Sequence, residues 1–266
     1  MSSGHWKTLV AGAAPGQHIA QLYTDRDFLV RSAGAFLAQG LREGGGAIVI
    51  ATAPHWRLIR QTLERDSLSP DALEQRGQLI VLDADETLGQ LLVGRMPDDT
   101  RFATVVGGVV RALRARRFAR VRAFGEMVDL LRHRSLAATE RLEELWNTLI
   151  AAEGIALLCG YSVDVFERRN HRGVLPGVVR THSDLIASDD DERLQLAVEK
   201  AYADVFGPGE DTSLLRRLLV QQPTGRAAMR PAEAAMFAAR DVGGLVGDLL
   251  LDRAREHYRA GQSPAA

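Results

Sequence analysis

The chain has 266 residues, 46% of them hydrophobic and 25% charged, with 33 basic against 34 acidic side chains and a net charge of −1. That length supports a sizeable core in one or two domains, and the balanced charge provides no global field to attract nucleic acid or an anionic membrane. Cys159 is the single cysteine, which excludes an intrachain disulfide framework and a multi-cysteine zinc site and fits a reducing compartment. No apolar run approaches the roughly 18 residues needed to span a bilayer, and residues 1–17 lack a secretory pattern, so a cytoplasmic protein without membrane association is expected.

Residues 1–17 read as an N-terminal tail. Thr24-Asp25-Arg26-Asp27 gives a capping signal, and Phe28, Leu29, Ala33, Phe36, Leu37 and Leu41 follow at helical spacing until Gly44-Gly45-Gly46. Ala47-Ile48-Val49-Ile50-Ala51 is short, apolar and β-branched, the pattern of a strand buried on both faces. Thr52-Ala53-Pro54-His55-Trp56 then opens a helix with Trp56, Ile59 and Leu63 on one face. Residues 78–83 supply the next strand, with helices expected over 87–93 and 99–116. Further strands are expected at 121–125 and 155–161, separated by a helix starting near Ser135. This alternation predicts a doubly wound, mainly parallel α/β domain over 18–187. Strand signals stop near Ser188. A helical region, 188–260, follows with helices at 194–206, 213–220 and 231–258, then a frayed end at 261–266.

A phosphate loop needs Gly-x-x-x-x-Gly-Lys-Ser/Thr, so that amides cradle phosphate, lysine neutralises it and a hydroxyl holds magnesium. The loop 52–57 has no glycine, the only lysines are Lys7 and Lys200, and Pro54 removes an amide donor. Ordinary ATP hydrolysis is therefore not expected, and no enzymatic activity is assigned. His55 and Arg57 could hold an anion at that helix start, or stand as an exposed pair. Glu126 and Asp129 follow a strand ending in Gly125, so they are candidates either for ligand contact or for satisfying helix amides. Cys159 is either an inert core thiol or a soft wall of a pocket. Tyr161, with an apolar face and a polar tip, is the better pocket residue.

Trp146 and Asn147 lie on a helix whose Leu142, Leu145 and Leu149 are core positions. The histidines His18, His55, His133, His171 and His182 show no close ligand spacing, so no metal or cofactor is expected. The basic stretch from Arg111 to Arg122 reads as solvated charge at a helix end rather than a nucleic-acid patch, and direct nucleic-acid binding is not expected. Met236, Phe237, Val242, Leu245, Val246, Leu249 and Leu250 give the last helix a broad apolar face interrupted by Gly243-Gly244. Core packing and a partner or dimer surface centred on Leu245 and Leu249 both fit that face.

From His18 to Phe166 the chain carries, in order, His18-Ile19-Ala20-Gln21-Leu22-Tyr23, Phe36-Leu37-Ala38-Gln39-Gly40-Leu41, Phe124-Gly125-Glu126-Met127-Val128, Leu142-Glu143-Glu144-Leu145-Trp146-Asn147 and Leu157-Leu158-Cys159-Gly160-Tyr161. This series resembles the MEDS domain (methanogen/methylotroph sensory domain), a degenerate relative of the RecA/KaiC-like ATPases. The resemblance implies a RecA-like version of the α/β fold and a sensory role toward small, often hydrocarbon-derived molecules. The expected function is thus a non-enzymatic, cytoplasmic sensory or regulatory protein. It binds a small organic ligand through His55, Arg57, Glu126, Asp129, Cys159 and Tyr161, and signals through a regulatory protein partner or a homodimer. The alternatives are a nucleotide-binding, ATPase-like switch and a ligand-independent interaction scaffold.

Overall fold

Apolar, β-branched runs form the strands of one parallel sheet, because only a strand covered on both faces tolerates such uninterrupted apolarity. The computed structural model describes residues 4–207, 227–242 and 244–261. In chain order the elements are α1 (His5–Ala11), β1 (His18–Leu22), α2 (Arg26–Arg42), β2 (Gly46–Ala51), α3 (Ala53–Arg65), α4 (Pro70–Gln75), β3 (Leu79–Asp83) and α5 (Ala84–Leu91). A short hairpin of β4 (Leu92–Val93) and β5 (Met96–Pro97) leads to α6 (Asp99–Ala115), β6 (Val121–Gly125), α7 (Met127–Arg132), α8 (Leu136–Glu153) and β7 (Ala156–Tyr161). Then come α9 (Arg168–Arg172), α10 (Val174–Thr181), β8 (Asp184–Ile186), α11 (Asp191–Phe206), α12 (Pro231–Val242) and α13 (Gly244–Ala260).

Six strands form one sheet in the order β3-β2-β6-β7-β1-β8, all parallel. One face carries Ile19, Val49, Phe124 and Leu158 and is covered by α1, α2 and α3, which supply Trp6, Phe28, Phe36 and Ile59. The other carries Ala20, Ile48, Ala123, Cys159 and Tyr161 and is covered by helices that include α6, α8 and α10, through Val106, Trp146 and Val178. The expected α/β sheet followed by helices is what the structure shows. None of the helices described is long and apolar enough to cross a membrane.

Several elements differ from the pattern reading. β1 and β8 join the sheet although neither stood out as a strand, because β1 carries His18 and Gln21 and β8 is only three residues long. Within the expected tail, α1 packs on α2, with the Trp6 ring edge-on to Phe28 at 5.6 Å. The helix expected at 87–93 starts and ends earlier, and Leu92–Val93 pair with Met96–Pro97 instead. The expected helix at 231–258 is two helices, since Gly244 takes a left-handed φ of +58° that interrupts helical geometry. The helix expected at 213–220 and the side chain of Val242 lie outside the described residues, as do positions 262–266 of the end.

The C-terminal helices dock on the sheet's last strands. Residue 184 of β8 bridges Ala228, and Glu233 accepts hydrogen bonds from the amides of Ala187 (3.1 Å) and Arg230 (2.7 Å). The pKa of this buried carboxyl is pushed up to about 7, chiefly by burial. Along α13 the apolar residues divide: Leu250, Leu251 and Ala254 are buried, whereas Leu245 is 86% exposed and Leu249 43%.

Arg122 departs from the rest of the basic stretch. Its position in β6 turns it into the face covered by α1 and α2, where it is 5% exposed. There its guanidinium donates to the carbonyls of Val10 (2.8 Å), Ala11 (2.9 Å), Ala13 (3.4 Å) and Phe36 (3.0 Å). Gly40 gives it room, because a Cβ there would lie 2.6 Å from Arg122 Cδ. A lysine keeps the charge but cannot serve that set of acceptors. Arg122→Lys is therefore expected to cost about 2–3 kcal/mol in urea unfolding, against no more than about 0.5 for the exposed Arg120→Lys. Equal losses for the two would contradict the clamp.

Candidate functional site

Because the strands are parallel, their carboxyl ends share one edge of the sheet. Glu126, directly after β6, is 3% exposed. Its Oε1 accepts the Thr52 amide at the end of β2, and its Oε2 pairs with Nδ1 of His55 in the first turn of α3. That hydrogen bond, helped by the carboxylate's charge and opposed by partial burial, raises the His55 pKa above its usual value. Tyr23, after β1, packs edge-on to the His55 ring at 6.4 Å. Burial and the charges of Asp129 and Glu126 hold its phenol strongly protonated.

Asp129 has a different task. It accepts from the Ser162 amide at 2.8 Å and from Arg132 Nε at 2.6 Å, which ties α7 to the end of β7. Arg57 is exposed on α3. Cys159 and Tyr161 are not on the edge either, being 1% and 0% exposed under α8. The six predicted residues therefore do not form one pocket. The reason is strand alternation: Cys159 and Tyr161 project into a helix-covered face, while His55 and Glu126 stand beyond the strand ends, in the first turn of α3 and at the start of α7.

The chain from β1 crosses to one side of the sheet and the chain from β7 to the other, so the β1/β7 pair is a switch point of the kind where α/β folds open a crevice. A cleft of ≈ 450 Å³ lies there, between the loops after β1, β7 and β8 and helix α13. Its walls include Tyr23, Phe28, Phe166 and Tyr258, with Arg193 and Arg255. Arg193 lies over the Tyr258 ring at 4.1 Å and donates to Tyr258 Oη at 2.6 Å. Arg255 donates to Asp164 (3.0 Å) and Glu167 (2.9 Å). The residues after β1, Tyr23-Thr24-Asp25, lack glycine and lysine as the loop after β2 does, and the Asp25 side chain caps α2 by accepting from Asp27 N. A carboxylate there competes with any phosphate for the amides.

A second polar group is buried within the domain. His18 opens β1, and the register that pairs Ala20 with Cys159 puts His18 and Cys159 on the same face. α8 lays Glu143 across them, and His182 follows α10. All four are buried. The His18 and His182 rings are 3.9 Å apart, and Tyr161 Oη donates to Glu143 Oε1. Burial raises the Cys159 and Tyr161 pKa values well above normal, reinforced by the Glu143 charge. For Glu143 itself burial acts upward, but the charges of His182 and His18 and the hydrogen bonds from His18 and Tyr161 outweigh it, leaving the pKa lowered. Pattern reading missed His18, Glu143 and His182. The available signal was a carboxylate beside Leu142 and Trp146 on a core-facing helix.

The His55 to Glu126 pair has a defined pH signature. Because the folded pKa of His55 lies above its unfolded value, the pair's contribution is full below about pH 6.5 and is lost as pH rises through the folded value. A double-mutant cycle of His55→Gln and Glu126→Gln, followed by urea unfolding, is expected to give a coupling of about 1–2 kcal/mol at pH 6 that shrinks by pH 9. A coupling that does not change with pH would refute a charged pair.

The family model described as MEDS, MEthanogen/methylotroph, DcmR Sensory domain, matches residues 17–183, more than half of the chain. No curated protein matches it. Among solved structures, the KaiC-like protein PH0186 from the hyperthermophilic archaeon Pyrococcus horikoshii OT3 is similar at 15% identity and a TM-score of 0.39, over 56% of this chain and 64% of that one. The chain thus spans just under two thirds of that protein's length. On the family match, the chain belongs to the MEDS family of sensory domains.

Proposed function

We propose that this protein is a non-enzymatic cytoplasmic sensor that takes a small organic ligand into the cleft at the β1/β7 switch point and passes its occupancy to a partner through the C-terminal helices. One observation carries this reading. The cleft is built jointly by the sheet's carboxyl edge and by α13, so a molecule held there touches both the α/β domain and the helix that would report on it. Its aromatic walls suit an apolar body, and Arg193 and Arg255 suit a polar or anionic group. Tyr23 lines the cleft and packs edge-on to His55, so the His55–Glu126 pair stands behind this part of the wall without lining the cleft. Two loops without glycine or lysine, one of them capped by Asp25, favour this reading over a nucleotide switch.

The exposed Leu245 and Leu249 lie on the same α13 and supply the partner or homodimer surface.

A thermal-shift screen of the purified chain checks the ligand. A saturable rise in melting temperature is expected with one or more small organic acids or alcohols, and none with ATP and magnesium. Tyr258→Ala is expected to weaken the binding about tenfold, equivalent to about 1.4 kcal/mol. A magnesium-dependent rise with ATP, and none across the organic panel, would replace the sensor by the nucleotide switch.

The partner surface is checked by Leu245→Glu with Leu249→Glu. The pair is expected to leave stability within about 1 kcal/mol, since both sites are exposed, while abolishing self-association or partner capture in sedimentation. Unchanged assembly would remove α13 from the output route.

A further inference from the structure

We propose that His18, Glu143, Cys159 and His182 form a closed binding site for a divalent first-row transition metal of the zinc class. The four residues lie far apart in sequence and come from different elements, β1, α8, β7 and the segment after α10. Their ligand atoms all fall within 4.8 Å of one another. His18 Nε2 is 3.2 Å from Glu143 Oε2 and 3.4 Å from Cys159 Sγ, and His182 Nε2 is 3.6 Å from Glu143 Oε1. In a tetrahedral site with Zn–N of about 2.0–2.1 Å and Zn–S of about 2.3 Å, neighbouring donors stand about 3.3–3.7 Å apart.

The hydrogen-bond network prepares both imidazoles as ligands. Asn147 Nδ2 donates to the Thr181 carbonyl at 2.9 Å, which turns its Oδ1 toward His18 Nδ1 at 3.1 Å. His18 therefore carries its ring hydrogen on Nδ1 and presents the Nε2 lone pair to the cluster. His182 Nδ1 faces the Val178 carbonyl at 2.9 Å, with the same result. Metal-ligating histidines are held in this manner, by a carbonyl or carboxylate on the nitrogen remote from the metal.

What converges is thus a set of electron-pair donors. With His18 Nε2 unprotonated, as a metal requires, Glu143 Oε2 is buried without a donor, an expensive state for a carboxylate oxygen. A dication among the four answers that cost, and the thiolate and carboxylate balance its charge. Binding breaks the Cys159 S–H bond, forms a metal–sulfur bond and releases one proton to solvent. Sulfur and imidazole donors select the zinc class over magnesium or calcium. Four protein donors leave no open position, so the metal acts as a clasp holding α8 and the end of α10 to β1 and β7. A cavity of ≈ 10 Å³, about the size of one water, lies beside Glu143 and Tyr161 between α8 and α10.

The test uses the full chain and does not depend on the organic ligand. Elemental analysis of the purified protein is expected to find about one zinc per chain. Chelation is expected to lower the melting temperature, and cobalt refilling to give tetrahedral d–d bands with a thiolate charge-transfer band. Cys159→Ser loses the charge-transfer band, and Asn147→Ala, which keeps every ligand, weakens affinity about 10- to 100-fold. The proposal is overturned if the folded wild-type chain takes up neither zinc nor cobalt, if cobalt binds without the charge-transfer band, or if a Cys159→Ser, His182→Gln double variant binds as well as wild type. The wild-type arms decide the matter even if a variant fails to fold.

Discussion

A parallel sheet covered on both faces imposes one constraint on everything placed on it: water is absent, so a polar side chain must find its partners inside the protein. Arg122 meets this by donating to the carbonyls of the α1 end, the loop after it and α2. Gln21 in β1 meets it at one end only: the Ser32 hydroxyl of α2 donates to its Oε1, while its Nε2 is buried without an acceptor. On the opposite face His18 turns its Nδ1 to Asn147 and its Nε2 to Glu143 and Cys159. These groups fix how each helix layer seats on the sheet, since apolar packing alone tolerates sliding that a hydrogen-bonded cluster does not.

The sheet's middle was legible because its strands obey the simplest rule. Residues 47–51, 79–83, 121–125 and 156–161 are short apolar runs between loops, and all four are strands. β1 was hidden because His18 and Gln21 break the apolar run, and the reason for those residues lies in helices that join them only in three dimensions. The candidate site was less legible for the same cause. Metal-ligand patterns read from sequence depend on close spacing, whereas His18 and His182 meet through the pairing of β1 with β8 and the turn before it. Glu143 sits beside Glu144, yet Glu143 faces inward with Leu142 and Trp146 while Glu144 is exposed, because consecutive helix positions point to different faces. Glu126 was found because an acid just past a strand has few other places to go.

For a sensory domain, the architecture divides labour between a fixed interior and an adjustable rim. A ligand shifts a conformational equilibrium only by its difference in affinity between states. At the rim, that difference can arise where α13 meets the loops, since Arg255 bridges to Asp164 and Glu167 and Arg168 pairs with Asp252. Such contacts are partly exposed and individually weak, so they rearrange more readily than the buried network beneath.

The position of β1 carries a consequence for how the molecule assembles. Among the described strands, the first lies between the last two, paired with β7 on one side and β8 on the other. As the chain emerges from the ribosome, β2, β3 and β6 can associate early, but β1 has no neighbour until more than a hundred further residues have been made. Its two open edges wait until β7 has been made. Contacts of such long separation slow folding and prolong exposure of strand edges. His18 and Gln21 leave only Ile19 and Ala20 as consecutive apolar residues within β1, so it presents a shorter apolar template during that wait than the runs around it.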